Sequence, residues 1–227
     1  LFMVVSAAFA AVLAANGVSI PTVLLIAALL NLVVAAYIYS LLPEFLMRFV
    51  IWLLTHTLYR VRHQGLEQIP EHGPCVLVCN HVSFMDALIL AGAVRRPIRF
   101  VMDHHIFRTP LLGFVFRTAR AIPIAPAKED PHAKARAFDE VAAALAAGEV
   151  VCIFPEGKLT HDGEISLFKL GIEEIVARTP VPVVPMALCG MWGSFFSRRY
   201  GKAMLSWPRR FWSRIALKAA PALAASE

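Results

Sequence analysis

The first 43 residues of the chain contain no Asp, Glu, Lys or Arg, a composition that a water-soluble domain does not tolerate. Residues 1–15 form one apolar run, and a second run extends from Val23 to Leu42. The second run has about the twenty residues that a helix needs to cross a bilayer. No basic segment precedes the first run, and no small-residue cleavage site leads into polar sequence, as a signal peptide would require. Residues 1–43 are therefore predicted to be transmembrane helices.

The start of the chain suggests that a longer membrane domain precedes it. The chain begins with Leu1 instead of a methionine, and its first apolar run is shorter than a full span. We expect that the chain is cut inside an earlier helix and that these helices are the last spans of that domain. A transporter fused upstream is the hypothesis that follows, and a start codon directly before Leu1 would contradict it.

All charged residues follow this apolar segment, and the chain carries a formal net charge of +6 at pH 7. Arg48, Arg60 and Arg62 come soon after the second run, and basic residues are enriched on the cytoplasmic side of membrane spans. We therefore predict that the rest of the chain is cytoplasmic. Residues 44–62, with aromatic residues between arginines, are predicted to form an amphipathic helix at the lipid surface, with an ordinary core helix as the alternative.

Residues 63–227 are predicted to form one domain in which apolar strands alternate with helices. Strands are expected within residues 61–72 and at residues 74–79, 97–102, 121–124, 150–154, 181–188 and 215–219. Helices are expected after Ser83 and at residues 106–118, 131–147 and 168–177. This alternation is typical of α/β layer folds. The predicted fold class is α/β, a mixed sheet flanked by helices and preceded by N-terminal transmembrane helices.

The strand at residues 74–79 leads directly into the polar pair Asn80-His81, and Asp86 follows five residues after the histidine. Ser83 is predicted to cap the next helix, which places Asp86 in its first turn. A carboxylate on one imidazole nitrogen fixes the tautomer and leaves the other nitrogen free to accept a proton. The pair is therefore a candidate general base, although a helix cap beside a strand end is an equally simple interpretation.

Cysteine and histidine usage does not predict a metal site. The four cysteines all lie in or at the end of predicted strands: Cys75, Cys79, Cys152 and Cys189. Burial as small apolar side chains is expected for them, and no second Cys or His pair has zinc-ligand spacing. A nucleophilic Cys79 is a weaker alternative to His81 as the reactive group. His104 and His105 are expected to face water or a lipid headgroup.

Three sequence blocks, in this order, resemble those of the glycerolipid acyltransferase family, which includes the 1-acylglycerol-3-phosphate acyltransferases: residues 80–86, 154–157 and 181–185. The resemblance extends from about Leu66 to the early two hundreds. It implies that the first block is catalytic, that the middle blocks bind the acyl acceptor and that the last block is an apolar element near the site.

Two departures from the common family pattern indicate which branch of the family the chain resembles most. Many members carry an arginine in a second block, where this chain has residues 120–128, and continue Glu-Gly with Thr-Arg-Ser, where this chain has Lys158-Leu159-Thr160. These features resemble bacterial acyltransferases that re-acylate lysophospholipids, such as 2-acylglycerophosphoethanolamine acyltransferase, and imply a bacterial inner membrane location. Lys169 and Gly171 match a further family position, with a charged face at a helix start as the alternative.

Residues 194–218 combine seven basic residues with six aromatic residues and contain no acid. Nucleic acid can bind such a mixture. Because the segment follows membrane helices, anionic lipid headgroups are the expected partner, and an acidic acyl carrier protein could also dock there.

The resemblance implies transfer of a fatty acyl group from a thioester donor, acyl-CoA or acyl carrier protein, to the free hydroxyl of a lysophospholipid. His81 is the expected general base, oriented by Asp86, and no other cofactor is needed. The residues expected to bind the acceptor are Asn80, Ser83, Phe84, Pro155, Glu156, Gly157, Lys158 and, more weakly, Lys128. Glu156 is expected to contact a headgroup hydroxyl or amine, or to hold Lys158.

Other functions remain open from the sequence. The acceptor could be 1-acylglycerol-3-phosphate or glycerol-3-phosphate, as in phospholipid synthesis. A thioesterase would use the same His81–Asp86 pair with water as the acceptor. A non-catalytic lipid-binding module would tolerate loss of His81.

Overall fold

The N-terminal part of the chain contains one long apolar helix in the region that the structure describes. The computed structural model describes residues 9, 11–13, 15–41, 43–126, 128–205, 207 and 210–225. The chain divides into two compact units, Leu1–Leu46 and Met47–Glu227. In the first unit, helix α1 spans Ile20–Leu41, and its segment Ile20–Ile38 is long and apolar enough to cross a membrane. Most of the first predicted apolar run lies outside the described residues.

The predicted surface helix ends earlier than expected. Helix α2 spans Pro43–Leu58, and strand β1 begins immediately at Tyr59. Residues 59–62 were expected to continue the helix, but they pair with residues 213–216 of the last strand of the sheet. The interleaved Val61 and the buried Tyr59 favour an extended conformation, because β-branched and aromatic residues pack well on a pleated surface.

Seven strands form a single sheet within the described residues. They are β1 (Tyr59–Gln64), β2 (Cys75–Cys79), β3 (Ile98–Asp103), β4 (Ile122–Ile124), β5 (Val150–Ile153), β6 (Val183–Cys189) and β7 (Ser213–Ala219). Their order across the sheet is β1-β7-β6-β2-β5-β3-β4. β7 is antiparallel to β6, whereas every other neighbouring pair is parallel. The predicted α/β class with a mixed sheet is confirmed.

Among the described residues, four helices follow α2. They are α3 (Asp86–Ala93), α4 (Pro110–Thr118), α5 (Pro131–Ala146) and α6 (Gly171–Arg178). Proline occupies the first turn of α4 and α5, where its missing N–H costs nothing. The helix predicted from Ile106 begins only at Pro110, because His104–Arg108 forms a 3-10 turn. The helix predicted from Phe168 begins at Gly171.

Apolar side chains cover both faces of the central strands. On β2, Cys75, Leu77 and Cys79 belong to one buried cluster, whereas Val76 faces a second cluster. α3 contributes to the first cluster, and α5 and α6 contribute to the second. A strand buried on both faces is nearly continuous in apolar residues, which explains the sequence pattern at residues 75–79.

This topology brings two distant segments of the chain together. β2 and β5 are adjacent and parallel, with Cys75 opposite Val150. Their carboxyl ends therefore lie at the same edge of the sheet, which is where open α/β sheets commonly bind ligands. The segment after β2 contains His81, and the segment after β5 contains Glu156.

Phe138 on α5 provides a test of the second core. It is almost completely buried, and Lys134 and Arg178 lie over its ring at 5.1 and 5.4 Å from the centroid. Replacing it with alanine should lower the free energy of unfolding by about 3–5 kcal/mol, because a large cavity is left in a close-packed core. Urea titration of the detergent-solubilised chain measures this change.

The matched control is Phe114→Ala on α4, whose side chain is mostly exposed. This variant should change the free energy of unfolding by less than about 0.5 kcal/mol. Equal losses for the two variants would contradict the described packing.

Candidate active site

The turn between β2 and α3 joins an imidazole to a buried carboxylate. His81 Nδ1 lies 3.0 Å from Asp86 Oδ2, and Asp86 is fully buried. The same Oδ2 accepts hydrogen bonds from the main-chain N–H groups of Val82 and Ser83 at 2.6 and 2.9 Å. A carboxylate oxygen only accepts hydrogen bonds, so His81 Nδ1 is assigned as the donor in this contact, which leaves the lone pair of Nε2 available to accept a proton. The His81 side chain remains 22% exposed.

Ser83 takes a different role from the predicted helix cap. The helix begins at Asp86 after Met85, and no side chain caps it. The Ser83 hydroxyl instead donates to Asp86 Oδ1 at 2.6 Å and accepts from the Met85 N–H at 3.2 Å. Ser83 is fully buried, so its hydroxyl orients the carboxylate and is not exposed to an acceptor.

The ring of His81 is held by aromatic stacking. It stacks on Phe154, with centroids 4.2 Å apart and planes inclined by 20°. Phe154 in turn stacks on Phe100 of β3, with centroids 6.4 Å apart. Together with the hydrogen bond to Asp86, this stack fixes both the plane and the tautomer of the imidazole.

Glu156 connects the two loops of the site. Its Oε1 accepts from the main-chain N–H of His81 at 2.8 Å, and its Oε2 accepts from the N–H of Ser166 at 2.8 Å. The residue is almost completely buried. The expected contact of Glu156 with a headgroup or with Lys158 differs from this arrangement, in which both oxygens are occupied by main-chain donors. The carboxylate therefore positions the backbone of His81.

Two ammonium groups flank the Glu156-Gly157 turn. Lys158 follows Gly157 and is exposed. The side chain of Lys169 crosses directly over Gly157, where a Cβ atom would contact Lys169 Nζ and would lie 2.8 Å from Cε. Gly157 also has a φ of 63°, and this backbone conformation favours glycine, whereas the exposed end of the Lys169 side chain could move aside. The Lys169 N–H donates to Pro155 O at 2.9 Å, which fixes the start of this side chain.

The sequence alone did not determine the position of Lys169 in the site. Its match to a family position had an equally good alternative as a charged helix start. Its contact with Gly157 depends on the return of the loop over residues 158–168, which leaves no periodic signal in the sequence.

Asn80 forms a clamp between β2 and β6. Its side-chain amide donates to Leu188 O at 3.1 Å, and its Oδ1 accepts from the Leu188 N–H at 2.7 Å. Both polar groups of Asn80 are thus engaged by one residue of the neighbouring strand. The structure places Asn80 as a support of the turn that carries His81.

Cys79 is unsuited to act as a nucleophile. Its side chain is buried, and Sγ donates to Asn80 Oδ1 at 3.6 Å. Burial raises the pKa of the Cys79 thiol well above its ordinary value, and the nearby negative charge of Asp86 raises it further. The thiol is therefore neutral near pH 7, and the thiolate is the form that attacks.

The remaining predicted residues lie at different distances from the dyad along the sheet edge. Phe84 is partly exposed next to it, and Pro155 is buried beneath the turn. Lys128 is exposed after β4, which is separated from β5 by β3. Arg120 pairs with Glu149 at 2.8 Å, at the amino ends of β4 and β5 and hence at the opposite edge. Arg120, the first residue of the divergent block at residues 120–128, therefore lies away from His81.

The carboxyl end of β3 carries a separate polar cluster. Asp103 Oδ1 accepts from the main-chain and ring nitrogens of His105 at 2.8 Å, and the His104 and His105 rings are 4.0 Å apart. Burial raises the pKa of Asp103, but the hydrogen bonds from His105 outweigh it, so the pKa lies below its ordinary value. One ligand atom from each of these three residues lies within 4.8 Å of the others. The hydrogen bonds to Asp103 hold His105, whereas the buried Nδ1 of His104 has no hydrogen-bond partner among the described residues.

Glu156→Gln tests the bridging role of this carboxylate. The amide has one acceptor oxygen, so its NH₂ group must face either the His81 or the Ser166 N–H. An unsatisfied buried donor costs about 1–3 kcal/mol, and the free energy of unfolding should fall by that amount. Glu164→Gln, in which the carboxylate is exposed, is the matched control and should leave stability unchanged. Equal stability of the two variants would show that the bridge is not formed.

Comparison with known proteins identifies the family. Residues 60–189 match the protein-family model described as Acyltransferase. A chloroplastic 1-acyl-sn-glycerol-3-phosphate acyltransferase of Brassica napus is 34% identical over 58% of this chain and 38% of its own length. A lyso-ornithine lipid O-acyltransferase of Rhizobium meliloti is 29% identical over 66% of this chain and 52% of its own length. The chain therefore spans about half or less of these relatives.

A solved structure has the same fold. The crystal structure of the 1-acyl-sn-glycerophosphate (LPA) acyltransferase PlsC from Thermotoga maritima aligns with a TM-score of 0.61 and 23% sequence identity. The alignment covers 75% of this chain and 64% of that protein. Because the family match covers more than half of the chain and includes both loops of the site, the chain belongs to the Acyltransferase family.

Proposed function

We propose that the chain transfers a fatty acyl group from a thioester donor to the free hydroxyl of a lysophospholipid. The observation that carries the proposal is the His81–Asp86 pair, 3.0 Å apart, with Nε2 free and the ring partly exposed. The name of the Brassica napus relative, a 1-acyl-sn-glycerol-3-phosphate acyltransferase, supports a phosphate-bearing acceptor, whereas the name of the Rhizobium meliloti relative supports only acyl transfer to a lysolipid, lyso-ornithine lipid. Both acceptor names describe lipids that take up an acyl group.

The chemistry follows from the free nitrogen of His81. An alkyl hydroxyl is a weak nucleophile near neutral pH, so Nε2 removes its proton as the oxygen attacks the thioester carbonyl. The tetrahedral intermediate then expels the thiolate, which receives the proton from the imidazolium. Asp86 stabilises the imidazolium between these steps. Alcohol and thioester react directly, so no acyl-enzyme is formed.

The acceptor phosphate is assigned to the cations of the Glu156-Gly157 turn. Lys158 and Lys169 are both exposed there, and Gly157 allows close approach to the backbone. Lys128 lies farther along the sheet edge and is the weaker candidate. A lysophospholipid is the preferred acceptor, and 1-acylglycerol-3-phosphate and glycerol-3-phosphate carry the same phosphate chemistry. The donor is acyl-CoA or acyl carrier protein.

The proposed location is the bacterial inner membrane, with the second unit in the cytoplasm. α1 is long and apolar enough to span a bilayer. On α2, Phe49, Trp52 and Leu53 are exposed. Aromatic and aliphatic residues of this kind suit the lipid surface, so residues 44–58 are proposed to lie there. A transporter domain fused upstream remains a hypothesis.

His81→Ala and Asp86→Asn test the catalytic pair. Each should reduce acyl transfer by about 10²–10⁴-fold, because the first removes the base and the second disturbs its tautomer. The measurement incubates the purified chain with labelled lysophosphatidylethanolamine, lysophosphatidate or glycerol phosphate and with each thioester donor.

His104→Ala is the matched control, because the exposed fraction of this side chain equals that of His81. It should keep full activity. Retained transfer in His81→Ala would overturn the assignment of the base, and thioester cleavage at the same rate without any acceptor would support a thioesterase instead.

Lys158→Ala and Lys169→Ala test the phosphate assignment. Each should raise the KM for the acceptor by about tenfold and change kcat little, because a charge-assisted hydrogen bond to phosphate is lost. Steady-state kinetics with varied acceptor give both constants. Lys134→Ala is the control and should leave KM unchanged. It removes an ammonium group on α5 that pairs with Glu174 of α6 at 3.0 Å. An unchanged KM in both test variants would move the phosphate site away from this turn.

A further inference from the structure

An exposed apolar segment lies between the Glu156-Gly157 turn and α6. Four of the six residues at positions 165–170 are large and apolar, and their side chains are 54–94% exposed: Ile165, Leu167, Phe168 and Leu170. The segment forms no helix or strand. Contiguous exposed apolar surface on a folded domain marks a site of interaction with another apolar surface. We call residues 165–170 the apolar loop.

The base of the apolar loop is hydrogen-bonded to the site. The Ser166 N–H donates to Glu156 Oε2 at 2.8 Å, and the Lys169 N–H donates to Pro155 O at 2.9 Å. The other oxygen of Glu156 accepts from the N–H of His81. One carboxylate therefore connects the apolar loop to the backbone of the base, and the exposed side chains border the site instead of lying at an unrelated surface.

The residues on the other side of His81 also present apolar and basic side chains. Ser83 forms a bridge with Ser197, and the Phe84 N–H donates to Phe196 O at 3.2 Å. The segment that begins at Phe196 continues to the exposed Leu205 and Trp207 and contains three basic residues, Arg198, Arg199 and Lys202. Both segments bonded to the catalytic turn thus carry exposed apolar residues.

We propose that the apolar loop inserts into the membrane leaflet that holds the lipid acceptor, and that it delivers the acceptor to His81 from the bilayer. The inference rests on the proposed function, in which the acceptor is a membrane lipid. Lys169 identifies lipid as the occupant, because it lies between Phe168 and Leu170 and next to Gly157. Apolar residues that enter the acyl-chain region on both sides of a lysine place its ammonium group at the level of the phosphates.

This arrangement explains how a lipid acceptor can react without leaving the membrane completely. The acyl chain stays among the lipids next to Leu167, while the headgroup lies beside Lys169 and the free hydroxyl reaches Nε2 of His81. The loop acts on delivery and not on the chemical step, so its importance depends on whether the acceptor is embedded in a bilayer.

Leu167→Asp tests the inference, because this side chain is the most exposed of the loop and forms no part of the dyad. The full chain is reconstituted in phosphatidylcholine vesicles that contain long-chain lysophosphatidylethanolamine, and its rate is compared with that on a short-chain lysolipid that is monomeric in water. We expect a loss of about tenfold or more on the vesicle acceptor and a change of less than about twofold on the soluble one. Phe114→Asp, an exposed aromatic residue on α4, is the matched control and should change neither rate.

Equal losses on the two acceptors, or no loss on either, would overturn the inference. If the unaltered chain transfers no acyl group to any acceptor, that result contradicts the proposed function alone. Insertion of the apolar loop is then measured directly. A fluorophore on Leu167→Cys, in a Cys189→Ser background, should be quenched by brominated lipids, and lack of quenching would overturn insertion. The other three cysteines are buried, with thiol pKa values raised by burial, so they do not compete for the label.

Discussion

The site depends on the hydrogen bonds that the buried carboxylate of Asp86 accepts. It accepts hydrogen bonds from the main chain of Val82 and Ser83, from the Ser83 hydroxyl and from the ring of His81. A carboxylate removed from water is stable only when its lone pairs are satisfied in this way. The two interpretations of Asp86, as a residue that stabilises the turn and as the catalytic partner of His81, therefore do not exclude each other. The bonds that fold the turn also hold the oxygen that orients the imidazole.

The buried carboxylate of Glu156, in the loop after β5, is stabilised in the same way. Its partners among the described residues are main-chain N–H groups, one from the segment after β2 and one from the apolar loop. Neutral N–H dipoles rather than lysines thus stabilise this buried charge. Lys158 and Lys169 stay exposed in and after the Glu156-Gly157 turn and do not pair with Glu156. A direct ion pair with Glu156 would have cancelled part of their charge.

The differences between sequence and structure arise where another partner replaces the expected local bond. Residues 59–62 continue the mixture of aromatic residues and arginines that is present in α2, but pairing with the distant strand β7 satisfies their backbone groups in the sheet. Ser83 is a residue type that commonly caps helices, but its hydroxyl donates to the Asp86 carboxylate three residues later. The first replacement is a tertiary contact, and the second is a local bond that competes with the cap.

The sequence by itself determined the features that depend on neighbouring residues. These are the apolar helix α1, the buried strands, the α/β class and the pair of His81 and Asp86, which are five residues apart and meet within one turn. The tertiary structure alone decided that Glu156 bonds to the backbone of His81, 75 positions earlier in the chain, and that Lys169 lies over Gly157. Those contacts require β2 beside β5 and the return of a loop. The order of the strands and the path of the loop follow from packing over the whole domain. Such packing leaves no periodic pattern in the sequence from which these contacts could be predicted.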